Sequence, residues 1–322
     1  MSLASPSDPP LAAPSAGMVW VPGGEFAMGS EQFYPEEAPV RRVAVDGFWM
    51  DEHLVTNEEF TTFVNATGYV TVAERPLAAA DYPGADPTLL APGSVVFRRS
   101  NGPVDLRDNR MWWEYVLGAS WSRPEGGGSD LDGRAQHPVV HVSWEDVHAF
   151  ARWSGKQLPT EAEWEFAARG GLTDAIFAWG DEHFPGGRAM ANTWQGEFPW
   201  QNLLVDGYEG TSPVGSFPPN GYGLLDITGN VWEWTSDYYT TPSSNQHSCC
   251  VPSNPRVASP DDSYAAAGEP GSHLARMVIK GGSHLCAPNY CLRYRPAARQ
   301  PQMVDTGTAH LGFRCITRPT SI

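Results

Sequence analysis

Two cysteines stand five positions apart in Gly-Gly-Ser-His-Leu-Cys-Ala-Pro-Asn-Tyr-Cys-Leu-Arg-Tyr-Arg, residues 281–295, in a chain that holds five cysteines. A turn at Pro288-Asn289 that brings the two Cα atoms within about 7 Å would allow a disulfide. A redox pair of thioredoxin type needs Cys-x-x-Cys at a helix start, and here four residues separate Cys286 from Cys291. Zinc wants four ligands, and no further cysteine pair at zinc-finger spacing accompanies these two. Two thiolates without other protein ligands suit a soft ion of low coordination number, for which Cu(I) is the natural candidate. The residues alone leave an inert pair and a redox or soft-metal pair both open. Cys249-Cys250 sits in a polar loop and reads as incidental, and Cys315, in Gly-Phe-Arg-Cys, reads as a buried strand residue.

Oxygen donors form a second group. Asn192 and Asp206 flank one loop, and Asp226, Asn230 and Glu233 surround Gly229 in another. Carboxylate and amide oxygens supplemented by turn carbonyls match the flexible coordination of Ca²⁺. The same residues are also ordinary turn material.

Positioning such groups requires a framework. The 33 Gly, 29 Pro and 13 Trp point to turns and loops pinned by buried indoles, with little regular structure. From Met18, alternation of apolar and small residues that turns on Gly23-Gly24 predicts an opening hairpin. Helices are expected after Thr56, over Ser143–Gly155, and over Glu161–Gly171, each with an N-cap, acidic first-turn residues or a terminal glycine. Residues 75–95 and 240–275 read as long surface excursions. No tandem repeat or compositional break divides the chain, so residues 18–322 form one mixed α+β domain behind a disordered tail, residues 1–17. The formal charge of −16 opposes binding to nucleic acid or to an anionic membrane. No secretory signal and no membrane-length apolar run is present, which with few cysteines predicts a cytoplasmic protein.

Nearly the whole chain, from VWVPGGEFAMGS to HLGFRC, resembles the formylglycine-generating enzymes, or sulfatase-modifying factors, of prokaryotic type. General markers of that fold are HPVVHVSWEDVHAFARWSGKQLPTEAEWEFAARGG, PNGYGLLDITGNVWEWTSD and GFRC, and the specific ones are GGSHLCAPNYCLRYRPAAR and ANTWQGEFP. The resemblance implies a C-type-lectin-related α+β domain of low regular structure. It implies oxidation of the cysteine in a Cys-x-Pro-x-Arg segment of an unfolded sulfatase to Cα-formylglycine, with O₂ and a thiol reductant consumed. Cys286 and Cys291 would hold Cu(I), joined by the substrate thiolate. A substrate Cβ hydrogen would be lost, and the thioaldehyde so formed would hydrolyse with release of sulfide.

By the same resemblance Ser283, Tyr290 and Trp232 surround the pair, while His310 stands where eukaryotic members carry Asn. Arg299 is expected in the same region and Arg314 in a structural ion pair. One structural Ca²⁺ would take Asn192, Thr193, Asp206 and Tyr208, and a second Asp226, Gly229, Val231 and Glu233. The cysteines that form bridges in eukaryotic members are replaced here by Ala151, Ala168 and Pro296, leaving Cys315 without a partner. Alternatives are a non-catalytic ligand-binding relative, which needs no thiol pair, an exported structural calcium module, which needs a signal, and an iron-dependent sulfoxide synthase. The last needs a His-rich iron-binding module that this chain lacks.

Overall fold

Four short strands open the chain: β1 (Met18–Val21), β2 (Gly24–Met28), β3 (Arg41–Val45) and β4 (Phe48–Asp51). The computed structural model describes residues 12–241, 250–266 and 274–319. Of the expected tail, residues 1–11 lie outside the described residues, and the Gly17 carbonyl accepts a 2.8 Å hydrogen bond from the Glu52 amide. The expected opening hairpin is corrected: β1 pairs antiparallel with β4, and β2 with β3. Gly23 (φ +70°) is where the chain steps from one sheet to the next, and a Cβ there would meet the Gly47 amide nitrogen at 2.5 Å. The turn signal was correct, but it marks a change of sheet.

Three helices follow their caps. Thr56, Ser143 and Thr160 each form a reciprocal capping box with the acidic residue three places on, starting α1 (Asn57–Thr67), α2 (Trp144–Trp153) and α3 (Glu161–Arg169). Left-handed glycines, Gly68 and Gly170, end α1 and α3, whereas α2 stops on Ser154, one residue before the expected glycine. Between α1 and α2 lies the antiparallel pair β5 (Gly93–Phe97) and β6 (Trp113–Leu117). The excursion expected over residues 75–95 holds only short 3₁₀ turns before β5. Of the later one, residues 242–249 and 267–273 lie outside the described residues, and a short helix, α4 (Pro260–Ala266), lies within it.

The remaining strands are β7 (Trp232–Tyr238), β8 (Arg276–Lys280), β9 (Arg299–Met303), β10 (Leu311–Gly312) and β11 (Ile316–Thr317). They form a four-stranded sheet in the order β10-β7-β8-β9, while β11 adds to β4. One core packs Phe60 and Phe63 of α1 against Phe150 of α2, then against Trp232 and Trp234 of β7. A second packs Trp164 and Phe166 of α3 on the β2–β3 pair and β4.

Helix α3 is buried along its whole length although three of its nine residues are glutamates. Each finds a cation. Glu161 takes Arg299 Nε at 2.6 Å, Glu163 takes Arg318 Nη2 at 2.6 Å, and Glu165 takes Lys280 at 2.9 Å and Arg169 at 2.7 Å. Burial alone would raise the Glu165 pKa, but Lys280 and Arg169 overcome it and hold the group at about 2. A carboxyl with a depressed folded pKa contributes stability above its unfolded pKa and loses it as pH falls through the folded value. Denaturant titrations should therefore show about 3 kcal/mol of stability lost between pH 4.5 and pH 2 through this group. Glu165→Gln should remove that part of the acid limb and cost about 3–5 kcal/mol at pH 7, because Lys280 is left charged and buried. An unchanged acid limb in the variant would contradict this assignment.

Candidate active site and oxygen-donor loops

Strand β8 delivers the cysteine segment through two left-handed glycines. At Gly282 (φ +69°) a Cβ would meet the Arg293 carbonyl and the Tyr294 amide at 2.8 Å, so only glycine lets the outgoing and returning backbones touch. Two tight turns follow. The Cys286 amide donates to the Ser283 carbonyl at 2.9 Å, and the Cys291 amide to the Ala287 carbonyl at 2.7 Å. They bring the two buried sulfurs to 3.2 Å, well beyond the ~2.05 Å of a disulfide, as two thiols in contact.

The surroundings make the two sulfurs unequal. The Ser283 amide donates to Cys286 Sγ at 3.4 Å, and Arg293 Nη1 lies 3.8 Å from Cys291 Sγ. The hydrogen bond from Cys286 and the Arg293 charge bring Cys291 down to about 7, whereas burial and the neighbouring sulfur push Cys286 up. Of the pair, Cys291 is therefore the sulfur that loses its proton first.

Both thiols line a cavity of about 390 Å³. Six of the residues expected at the site meet there: Cys286, Cys291, Ser283, Tyr290, Trp232 and His310. The Tyr290 ring stacks on Phe198 at 4.6 Å, and burial followed by the nearby sulfurs pushes its phenol up to about 12. Thr308 Oγ1 holds His310 Nδ1 at 2.6 Å, Trp113 lies 4.8 Å from the ring, and burial lowers the imidazole to about 3. Both groups are neutral at physiological pH.

Arg299 is a correction. It does not line the cavity but turns to Glu161 and to the Thr240 carbonyl, at 2.8 Å, while its neighbours Gln300 and Gln302 do line it. The two-residue period of a strand carries that signal. Also missed were Asn109, Trp112, Trp113, Phe198 and Arg293. The aromatic pair 112–113 at the start of a strand was a visible signal, and so was an arginine two places after a cysteine.

The oxygen donors gather in the loops beside β7. Thr193 O, Thr193 Oγ1 and Asp206 Oδ2 converge on Gln195 Nε2, with Asp206 at 2.7 Å and the Thr193 carbonyl in a short contact. The Asn192 side-chain oxygen is buried without a partner. Tyr208 meets Asp206 through its amide, at 3.0 Å. Asp226 gives one oxygen to the Gly215 amide at 2.6 Å and keeps the other buried and unpartnered. The Gly229 amide donates to the Gly281 carbonyl, and the loop's next amide, of Asn230, to the Asn192 carbonyl. Val231 is buried just before β7. Glu233 requires a correction as a charged calcium donor, because its two oxygens are taken by Arg314, both at 2.9 Å, and by the Trp164 indole.

His137 and His141 stand at a spacing that on a helix would suit a metal, but they are held apart in their bonding, by Thr211 and Ser94. Among the described residues no three His, Cys, Asp or Glu side chains group as a metal cluster, so a metal at either place must rely on two thiols, or on fewer than three carboxylates supplemented by amide and carbonyl oxygens. Cys315 is a buried thiol far from the pair in the sequence, and Cys249 lies outside the described residues. No described helix is long and apolar enough to cross a membrane.

The chain is thus a loop-rich α+β domain that presents two contacting thiols in an aromatic-walled cavity. Residues 5–319 match the sulfatase-modifying factor enzyme 1-like domain, and the chain belongs to that family. It is 55% identical to the formylglycine-generating enzyme of Mycobacterium tuberculosis, over 94% of this chain and 98% of that one. It is 35% identical to a Bos taurus protein named inactive Cα-formylglycine-generating enzyme 2, over 94% of this chain and 88% of that one. The structure of PvdO from Pseudomonas aeruginosa shares the fold, with a TM-score of 0.62 at 23% identity over 93% of each chain.

In metal-free protein, alkylation followed by mass spectrometry should label Cys291 before Cys286, with a half-maximal rate near pH 7. Cys286→Ala removes the donor that lowers Cys291 most and should move that midpoint upward. A midpoint unmoved by the variant would show that the sulfur contact does not set the reactivity.

Proposed function

We propose that this protein is a formylglycine-generating enzyme that oxidises the cysteine of a Cys-x-Pro-x-Arg segment in an unfolded sulfatase polypeptide. The observation that carries the reading is the pair of buried thiols 3.2 Å apart in the lining of an open, aromatic-walled cavity. Family membership alone does not secure activity, since one relative is named inactive. The reaction balances as cysteine, O₂ and two reducing equivalents giving the aldehyde, hydrogen sulfide and water.

The donor set fits Cu(I): two soft sulfurs, one with its pKa lowered toward neutrality, and no carboxylate among the lining residues that would favour a harder metal. Bound there, Cu(I) would supply one-electron chemistry toward O₂ and affinity for one more thiolate, that of the substrate. The chain's own groups prepare the place. Ser283 holds Cys286 through its amide, the Trp112 and Trp232 rings exclude water, and Tyr290 remains a neutral phenol able to donate a hydrogen bond. His310, neutral and held at Nδ1 by Thr308, keeps only Nε2 for another partner, as donor or acceptor according to the tautomer that the Thr308 bond selects. Thiols kept reduced in this way suit a reducing compartment such as the cytoplasm, where a thiol reductant is at hand.

Structural Ca²⁺ is the second part of the reading. The unpartnered oxygens of Asn192 and Asp226, and the oxygens that converge on Gln195, are what a hard cation would satisfy.

Aerobic incubation of Cu(I)-loaded protein, a thiol reductant and a Cys-x-Pro-x-Arg peptide should exchange the peptide's sulfur for oxygen with loss of two hydrogens, read by mass spectrometry. Cys286→Ser and Cys291→Ser should each abolish turnover and tight Cu(I) binding, because a hydroxyl is too hard a donor. Cys315→Ser should do neither. Full activity in metal-free enzyme would refute the copper reading even if formylglycine forms.

Calcium at about a hundred times its Kd should add ~2.7 kcal/mol of stability, a Tm change on the order of 5 °C. Asp206→Ala and Asp226→Ala should shrink that response to a chelator. A Tm indifferent to chelation would leave these loops as ordinary turns.

A further inference from the structure

In a chain of net charge −16, the residues that line the thiol cavity include no Asp or Glu, and Arg293 is their one Lys or Arg. Its place is not accidental. Arg293 Nη2 is pinned to Glu36 Oε1 at 2.6 Å, and its guanidinium lies 3.7 Å from the centre of the Tyr34 ring. Tyr34 in turn accepts the Leu292 amide at 2.9 Å, so one turn of the N-terminal region grips the backbone between Cys291 and Arg293. One of the remaining nitrogens faces a sulfur. Nη1 lies 3.8 Å from Cys291 Sγ, and the Nε–H is buried without any partner. A buried charged donor left unsatisfied is costly, so an acceptor is expected to complete it.

We propose that Arg293 is the charge-compensating residue of the thiol site, held by Tyr34 and Glu36 so that its cation stabilises an anionic copper–thiolate centre. The inference rests on the Cu(I) reading above and extends it to a residue that is not a ligand. Two thiolates around Cu(I) carry a net charge of −1, and a third, from the substrate, makes it −2. Accumulating that charge in a buried site demands a permanent cation nearby. Arginine suits this place because it remains charged and can bond a carboxylate, stack on a ring and face a sulfur at the same time.

The test is Cu(I) affinity, measured by competition with a chromophoric Cu(I) chelator on full-length protein at pH 7, without substrate. Arg293→Gln should bind Cu(I) at least tenfold more weakly than the wild type, while Arg293→Lys, which keeps a cation, should recover most of the loss. Arg107→Gln, an exposed arginine paired with Asp105, should bind as the wild type does. Apo-protein Tm separates a structural role, because Gln and Lys both lose the guanidinium stacked on Tyr34 and should lower it alike. Arg293→Gln binding as tightly as the wild type would overturn the inference and leave the copper reading standing. Equal weakening in the Gln and Lys variants would also overturn it, showing that shape rather than charge matters. A wild type that takes up no Cu(I) overturns both.

Discussion

The cysteine segment is held at both of its ends by one buried helix. Lys280, the last residue before Gly281, bonds Glu165 at 2.9 Å and lies 3.8 Å from Glu161, and Arg299, where the segment rejoins the sheet, bonds Glu161 at 2.6 Å. Everything between, residues 281–298, is an irregular loop between adjacent strands β8 and β9. Such a loop has no ladder of its own to fix it. Two carboxylates one helical turn apart on α3 clamp its entry and exit instead, and Asp237 of β7 ties the start of that helix by accepting the Glu161 amide at 2.7 Å. Buried ion pairs of this kind contribute little net stability against apolar alternatives, but they are unforgiving about which residue meets which. Here that selectivity sets the loop register, and hence where the two sulfurs fall.

A second clamp comes from the opposite end of the chain. Residues 33–37 lay Tyr34 over Arg293 and Phe33 over Arg295, each arginine also reaching a glutamate, Glu36 or Glu37. Contacts of this span close loops of more than 250 residues, so the site forms only when the whole domain does. Local structure near the cysteines is therefore a poor guide to their geometry: the turns at Ser283 and Ala287 bring the sulfurs together, but the distant segments decide what faces them.

That division explains what could be read in advance. The three helices were legible because their caps are local chemistry, with Thr56, Ser143 and Thr160 each three residues from an acid. The cysteine pair and its neighbours Ser283, Tyr290, Trp232 and His310 were legible through motifs that bring the whole constellation with them. Strand pairing was not: the Gly23-Gly24 turn has the sequence of a hairpin, and only the tertiary partners β3 and β4 show otherwise. Arg299 and Glu233 were misplaced for a related reason. A charged residue beside a site motif reads as functional, and its real partner, Glu161 or Arg314, lies 138 or 81 positions away. Arg293 failed in the opposite direction, since an arginine among several looks interchangeable until Tyr34 and Glu36 single it out.

The loop layer also shows where this architecture leaves its hydrogen bonds unfinished. Asn192, Ser212, Asp226 and Thr228 each carry a buried oxygen without a protein partner, and all four belong to the irregular run ahead of β7. In a sheet or helix the backbone would satisfy itself and leave side chains free to avoid burial. A run of turns cannot do so, because its amides point in several directions and its side-chain oxygens are drawn inward to meet them. Asp226 shows the result: one oxygen caps the Gly215 amide while the other is carried inside with it. Burial holds its pKa above the ordinary carboxylate range, so removing that desolvation penalty requires either a proton or a cation. A cation in the loops would serve the same end as Lys280 and Arg299 do on α3, compensating charge where irregular backbone has to be held in one shape.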